Sequence, residues 1–243
     1  MAVPNKRRAL RASARAKMVG ALLIAGGGVF FAAEFISASA WTDPPYSYTY
    51  HYVSNLGVRG PVETLHQVMN SPLSWVMNTG FFLFGILLAL GVIALRGLRG
   101  WRRGASVILG LLMAIGGVLL ALNPGDGQEA ANQIDYHSIG ALASIVSGNM
   151  LVVLMGRQHK AIGVSRSVGK SMVALGVIGL LGLPLYLSVA GSEFGLIGLF
   201  ERVAIYPLFI GQILAGVSIW KSRAAAQARH ATLPRSPEMP AGT

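Results

Sequence analysis

The residues of this chain that could do chemistry are three histidines and a few carboxylates between long apolar segments. His51, His66 and His137, with Asp135 nearby, have side chains that bind zinc, and a catalytic zinc site uses three protein ligands and one open position. The histidines are scattered, and no H-E-x-x-H motif is present. Because the residue types suit zinc but their spacing matches no motif, a metal-dependent intramembrane hydrolase is an alternative and not our leading hypothesis. A Ser-His nucleophile is disfavoured, because no G-x-S-x-G occurs and Ser138 lies on a different helical face from His137.

A second set of polar groups lies inside the apolar segments. Lipid offers them no hydrogen bonds, so such side chains normally face the interior of a helix bundle or a wet cavity. The spacing of Ser138, Ile145 and Asn149 places these three residues on one helical stripe. The set predicts a polar intramembrane pocket in one half of the bundle and consists of Glu34, Asn78, Ser138, Asn149, Glu201, Arg202 and Gln212.

The charged members of this set allow two interpretations. Glu34 and Arg202 can form a structural ion pair, which satisfies the requirement that intramembrane charges have partners. Alternatively, Glu34 or Glu201 can titrate, as in a proton-coupled transporter of small solutes. The sequence leaves both interpretations open.

Residues 41–70 form a dense polar and aromatic segment between two apolar segments, and we interpret it as the wall or lid of the pocket. Its tyrosines and Trp41 are expected to be interfacial anchors, because such rings collect at the level of lipid headgroups. His51, Ser54, Asn55 and His66 are retained as candidate site residues, and Asp135 and His137, at the start of predicted helix four, are further pocket candidates. The pocket therefore combines residues of this loop with residues of the helices.

The composition is that of a membrane protein. Of 243 residues, 53% are hydrophobic and only 12% are charged, whereas soluble domains carry about 25% charged residues. The net charge of +11 does not indicate nucleic-acid binding, because nearly all basic residues flank apolar segments. The chain has no cysteine, which excludes disulfides and thiol chemistry. Membrane lipids are the expected partners; the sequence assigns no cofactor and no oligomeric state.

Apolar segments of about 20 residues are long enough to cross a bilayer as helices. The first is too long for a signal peptide, so we interpret it as an uncleaved helix. Ser71 and Pro72 resemble an N-cap and first position of helix two. The prediction is an all-α, six-helix polytopic bundle with a basic N-tail at 1–17, a disordered C-tail at 221–243 and helices at about 18–40, 72–95, 105–122, 137–156, 171–190 and 196–220.

The distribution of basic residues predicts the orientation. All Lys and Arg residues except Arg59 and Arg202 fall in the two tails or in the loops after helices two and four. Because Lys and Arg concentrate in cytoplasmic loops, both termini are expected to be cytoplasmic in the cell membrane, and residues 41–70 extracytoplasmic.

Several short motifs, in order, resemble the bacterial family named domain of unknown function 998 (DUF998). They are Ser54-Asn55-Leu56-Gly57, Asn78-x-Gly80, Leu122-Asn123-Pro124, His137-Ser138-Ile139 and Glu201-Arg202. The resemblance covers residues 18–220 and implies a six-helix membrane fold, with Asn55 standing where many members have aspartate. The arrangement is also distantly similar to the six-helix Frag1/DRAM group. Our leading hypothesis is an outward-facing pocket that binds or moves a lipid-like or amphipathic ligand.

Overall fold

The computed structural model describes residues 6–126 and 134–232. Within them the chain forms α1 (Lys6–Ala40), a 3₁₀ helix (Ser54–Gly57), β1 (Val62–Thr64), β2 (Gln67–Met69), α2 (Ser74–Ala94), α3 (Trp101–Leu122), α4 (Tyr136–Arg157), the short α5 (His159–Ile162), α6 (Arg166–Val189) and α7 (Ile197–Thr232). Six of these helices are long and apolar enough to cross a membrane. The predicted all-α, six-helix bundle is confirmed.

The six long helices form a closed ring. Each packs against the next in sequence, α4 packs against α6, and α7 closes the ring by packing against α1. Small residues permit these contacts: a Cβ on Gly140 would lie 2.9 Å from the carbonyl oxygen of Gly116 on α3. Phe30 stacks on Phe209 in the centre, with ring centroids 3.9 Å apart, and the edge of Phe84 meets Phe209 at 5.0 Å. These aromatic rings fill the middle of the bundle.

Residues 41–70, here called the capping loop, fold over one end of the ring. The antiparallel strands β1 and β2 pair Val62 with Met69 and Thr64 with Gln67. Leu65 and His66 form the turn, both with positive φ (51° and 59°), as a two-residue type I′ hairpin requires. The sequence predicted this segment as a loop, because strands of three residues give no recognisable alternation.

Three sequence predictions differ from the structure at the ends of helices. The cap predicted at Ser71 is wrong: α2 begins at Ser74, and Leu73 occupies the N-cap position without a side-chain hydrogen bond. The basic N-tail, predicted to precede the first helix, is itself helical from Lys6. The C-tail was predicted to be disordered from residue 221, but α7 continues to Thr232. Alanines at positions 224–226 favour helix, which explains the extension. Residues 1–5, 127–133 and 233–243, which include parts of both predicted tails, lie outside the described residues.

Candidate functional site

Arg202, near the start of α7, occupies the centre of a buried polar cluster. Its Nε and Nη2 lie 3.1 and 2.9 Å from Oε1 of Glu34 on α1. Nη1 donates to the carbonyl oxygens of Tyr48, His51 and Gly198, at 2.7, 3.1 and 3.0 Å. The guanidinium therefore joins two helices to the backbone of the capping loop.

Tyrosine side chains complete the surroundings of Arg202. Nη2 donates to the Tyr46 hydroxyl at 2.6 Å, and the hydroxyl of Tyr206 donates to Glu34 at 2.8 Å. The guanidinium also lies over the ring of Tyr48, 4.9 Å from its centroid, a favourable cation–π arrangement. Burial raises the pKa of Tyr46, so its phenol keeps the proton that it donates to the Tyr52 carbonyl oxygen at 3.0 Å.

The prediction that the aromatic residues of the capping loop are interfacial anchors is wrong for its core members. Trp41 and Tyr52 are buried, at 2% and 3% exposure, and the ring of Trp41 stacks on His51. Their rings pack inside the protein because the loop folds back over Arg202. By contrast, Trp75 is 66% exposed at the start of α2, as an interfacial anchor requires.

Glu34 and Arg202 have the geometry of a structural ion pair, the first of the two interpretations that the sequence left open. Both side chains are buried, and the guanidinium lies 2.9 Å from the Glu34 carboxylate. Glu34 Oε2 is the one oxygen of the pair without a hydrogen-bond partner among the described residues. Neither residue lines the cavity described below.

Glu201, the neighbour of Arg202, points to a different part of the molecule. Its Oε2 accepts a hydrogen bond from the backbone N–H of Val53 at 2.6 Å. Glu201 also lines the cavity. This carboxylate therefore anchors the capping loop, and its residue forms part of the cavity wall.

The capping loop is clamped by a second pair of buried side chains. Gln67 Oε1 accepts a hydrogen bond from Asn55 Nδ2 at 2.5 Å, and Gln67 Nε2 donates to the Tyr50 carbonyl oxygen at 2.7 Å. These bonds join the hairpin to the 3₁₀ helix. They place Ser54 and Asn55 at the cavity wall.

The cavity has a volume of about 230 Å³ and extends from the capping loop into the ring of helices. Its mouth is polar, with Thr64 from the hairpin and Asp135, His137 and Ser138 from the start of α4. Its deep end is apolar and is formed by Phe30, Phe81, Phe84, Leu208 and Phe209. A cavity with one polar end and one aromatic end is complementary to an amphipathic molecule, which has a polar headgroup and an apolar tail.

The charges of the lining residues have one sign. Asp135 and Glu201 are acidic, and no Lys or Arg is among the described residues that line the cavity. Partial burial alone would raise the pKa of Asp135, but hydrogen bonds from Ser138 outweigh it and hold the pKa below its ordinary value. Asp135 is therefore ionised at neutral pH, and the mouth of the cavity is electronegative.

The structure brings six of the predicted site residues to the cavity: Ser54, Asn55, Asp135, His137, Ser138 and Glu201. Three predicted amides lie elsewhere, in contacts between helices or between a helix and the capping loop. Asn78 donates to the carbonyl oxygen of Gly57, Asn149 donates to that of Ala204, and Gln212 contacts the sulfur of Met113. The stripe on α4 thus reaches the cavity at Ser138 and Ile145, while Asn149 bonds to α7.

The structure does not bring the three candidate metal-ligand histidines together. His51 is buried beside Trp41, and its Nδ1 accepts from the Ser47 backbone N–H at 2.9 Å. His66 lies on the surface, 3.6 Å from Glu193, and His137 Nδ1 lies 2.8 Å from the Asn123 carbonyl oxygen. Among the residues at 6–126 and 134–232, no group of three or more His, Asp or Glu side chains could hold a metal ion. These positions give the metal-dependent hydrolase no support.

Several cavity residues were missed by the sequence reasoning. Tyr52 and Tyr186 line the cavity with ring centroids 6.1 Å apart, and Ser144 lies deeper on α4. Ser144 follows Gly140 and precedes Gly148 at four-residue spacing, a pattern typical of close helix packing, so it was not assigned to the pocket. The residues at the deep, aromatic end of the cavity were also missed. They are apolar, so in the sequence they cannot be distinguished from ordinary core residues.

Six spanning helices and a fold of this kind define a multi-pass integral membrane protein. The chain matches the family described as protein of unknown function (DUF998) over residues 24–218, and it belongs to that family. The resemblance indicated by the sequence motifs is thereby confirmed. Neither a curated protein nor a solved structure matches the chain.

Proposed function

We propose that this membrane protein binds an amphipathic ligand in the cavity beneath the capping loop. The observation that carries the proposal is the cavity's division into a polar mouth and an aromatic floor. A headgroup at the mouth would meet Asp135, Ser138 and Glu201, and an apolar tail would lie against Phe84 and Phe209. Both halves of such a ligand would have complementary surroundings.

The lining charges favour a cationic or neutral headgroup over an anionic one. A phosphate or carboxylate would lie near Asp135 and Glu201 without a basic side chain among the described lining residues to offset the repulsion. An ammonium group would pair with the carboxylates and could also contact the faces of Tyr52 and Tyr186. Alkylamines are therefore the preferred probes of this site.

The proposed orientation places the cavity mouth on the extracytoplasmic side of the cell membrane. Its support is the concentration of Lys and Arg in the two tails and in the loops at the opposite end of the ring. The ligand would then enter from outside or from the outer leaflet.

The function is tested by native mass spectrometry of the purified protein with dodecylamine, dodecanol and dodecyl phosphate. These probes share one chain and differ in the headgroup. The variant Ala141→Phe fills the cavity, whereas Leu142→Phe places the same ring on the exposed side of α4. We expect dodecylamine to bind the wild type and Leu142→Phe, and to bind Ala141→Phe at least about tenfold more weakly. Equal binding to all three proteins would exclude the cavity as the site.

A second candidate function is proton-coupled transport, supported by the position of the ionisable Glu201 on the cavity lining. Glu34 is not the preferred titrating group, because Arg202 holds it. In proteoliposomes, a proton gradient should change uptake of a fluorescent quaternary alkylammonium by the wild type relative to protein-free liposomes. Glu201→Gln should remove that response, and an unchanged response in this variant would reject the candidate.

A further inference from the structure

The end of the ring opposite the cavity carries a groove lined with arginines. It lies between the first turns of α1 and the end of α2, and has a volume of about 630 Å³. Arg11 and Arg15, one turn apart on α1, and Arg96, just after α2, contribute its charge. Its apolar surface comes from Val19, Leu95, Ile162 and Ile219.

These three arginines are available to a ligand. All are exposed, and none has a hydrogen bond or ion pair with another described residue. No acidic side chain is among the described residues that line the groove. Arg103, in the adjoining groove, differs: its guanidinium binds the carbonyl oxygens of Val92, Ile93 and Leu95 and so caps α2.

The groove lies at the depth of lipid headgroups. Arg96 lies two residues after the last residue of the spanning helix α2, and Arg15 precedes the apolar part of α1. Trp220 lies against Gly20 at this end and is 42% exposed, while Trp101 is 72% exposed. Exposed tryptophans mark the boundary between hydrocarbon and water. A phosphate bound by the arginines would therefore be at its usual depth in the leaflet.

We propose that this groove binds the headgroup of an anionic phospholipid. The phosphodiester would lie between Arg11, Arg15 and Arg96, and the start of an acyl chain would contact Val19 and Ile219. Basic pockets between membrane helices bind anionic headgroups by this combination of charge and apolar surface. The site is separate from the cavity and has the opposite charge, so it does not depend on the function proposed for the cavity.

The test compares phosphatidylglycerol with phosphatidylcholine of the same acyl chains, counted on the protein by native mass spectrometry. The wild type should retain phosphatidylglycerol in preference to phosphatidylcholine. The triple variant Arg11→Gln, Arg15→Gln, Arg96→Gln should lose this preference by about tenfold or more. Because the three side chains are exposed and make no bonds within the described residues, the variant should elute and unfold like the wild type.

A matched control removes the same charge from the same end of the ring. The variant Arg157→Gln, Lys160→Gln, Arg166→Gln changes three exposed residues that do not line the groove. Its preference for phosphatidylglycerol should stay within about twofold of the wild type. Equal losses in both variants would overturn the proposal in favour of a diffuse effect of charge. Displacement of the lipid by millimolar inorganic phosphate would also overturn it, because the site would then bind the free anion.

Discussion

Arg202 joins Glu34 and the carbonyl oxygens of the capping loop into one buried polar cluster. A charged side chain within a spanning helix is stable only with partners, and Arg202 has Glu34, three tyrosines and three carbonyl oxygens around it. A planar guanidinium can serve so many acceptors at once, whereas the ammonium of a lysine cannot. The same contacts hold the capping loop on the ring of helices.

Replacement of Arg202 by Gln should destabilise the protein by about 3–5 kcal/mol, because Glu34 is left buried without its partner. Thermal unfolding in detergent, followed by tryptophan fluorescence, measures the loss. The exposed Arg59 provides the control, and Arg59→Gln should unfold like the wild type. The double variant Glu34→Gln, Arg202→Met should recover part of the loss, since no charge remains unpaired; a double variant less stable than Arg202→Gln would contradict this account.

His51 gives the capping loop a dependence on pH. Burial, and then the charge of Arg202, lower its pKa below the ordinary value of 6.5, so the folded protein favours the neutral ring. The unfolded chain binds the proton more readily, and His51 therefore reduces stability as pH falls below about 6.5 and has no such effect above it. His51→Gln should weaken the fall in melting temperature between about pH 7.5 and pH 5.5. An identical pH profile in this variant would refute the role of His51.

For individual residues, the sequence was a good guide to which polar side chains are buried. It was a poorer guide to the groups that they contact. The ion pair of Glu34 with Arg202 was one of the two alternatives that the sequence left open, because intramembrane charges require partners. The carbonyl oxygens of Tyr48 and His51 could not be anticipated, since backbone acceptors have no sequence signature. The spacing of Ser138, Ile145 and Asn149 allows Asn149 to face either the cavity or a neighbouring helix. Only the packing of α4 in the folded protein decides which of the two it contacts.

At the scale of elements, the capping loop is a folded unit with internal hydrogen bonds. The hairpin brings Thr64 and Leu65 to the cavity, and the 3₁₀ helix brings Ser54 and Asn55. The sequence located this segment and predicted its role as a wall or lid. It did not predict the pairing of the strands, because the decisive bonds of Gln67 join residues whose proximity depends on the fold.

Gln67→Leu should loosen the capping loop. The change leaves Asn55 Nδ2 without its acceptor and the Tyr50 carbonyl oxygen without its donor, at a cost of about 1–3 kcal/mol. Hydrogen–deuterium exchange should rise in residues 50–57. Val68 lies next to Gln67 on β2 but is 45% exposed, and Val68→Ala should leave the exchange unchanged. Unchanged exchange in Gln67→Leu would show that these bonds do not hold the loop.

In the whole molecule, six long helices pack into a closed ring, with the cavity near one end and aromatic rings in the middle. The number and order of the helices follow from apolar segments of spanning length. The closure of α7 on α1, and the depth at which Phe30 and Phe209 stop the cavity, depend on side-chain packing between segments distant in sequence. The sequence therefore predicted the helices but not the extent of the cavity.

The proposed orientation can be tested with single cysteines, because the natural chain has none. Glu63 lies on the hairpin and Lys160 at the opposite end, and both are exposed. A membrane-impermeant maleimide should label the Glu63→Cys variant in intact cells and the Lys160→Cys variant only after permeabilisation. The reverse pattern would place the cavity mouth on the cytoplasmic side.

Binding of an amphipathic ligand in the cavity can be located by photolabelling with an alkylamine that carries a diazirine at the end of its chain. Mass spectrometry of the digested protein should find the label on α2 and α7 near Phe84 and Phe209, where the cavity ends. The label should disappear from these positions in Ala141→Phe and persist in Leu142→Phe. Labelling confined to lipid-facing residues such as Leu181, and unaffected by Ala141→Phe, would contradict binding in the cavity.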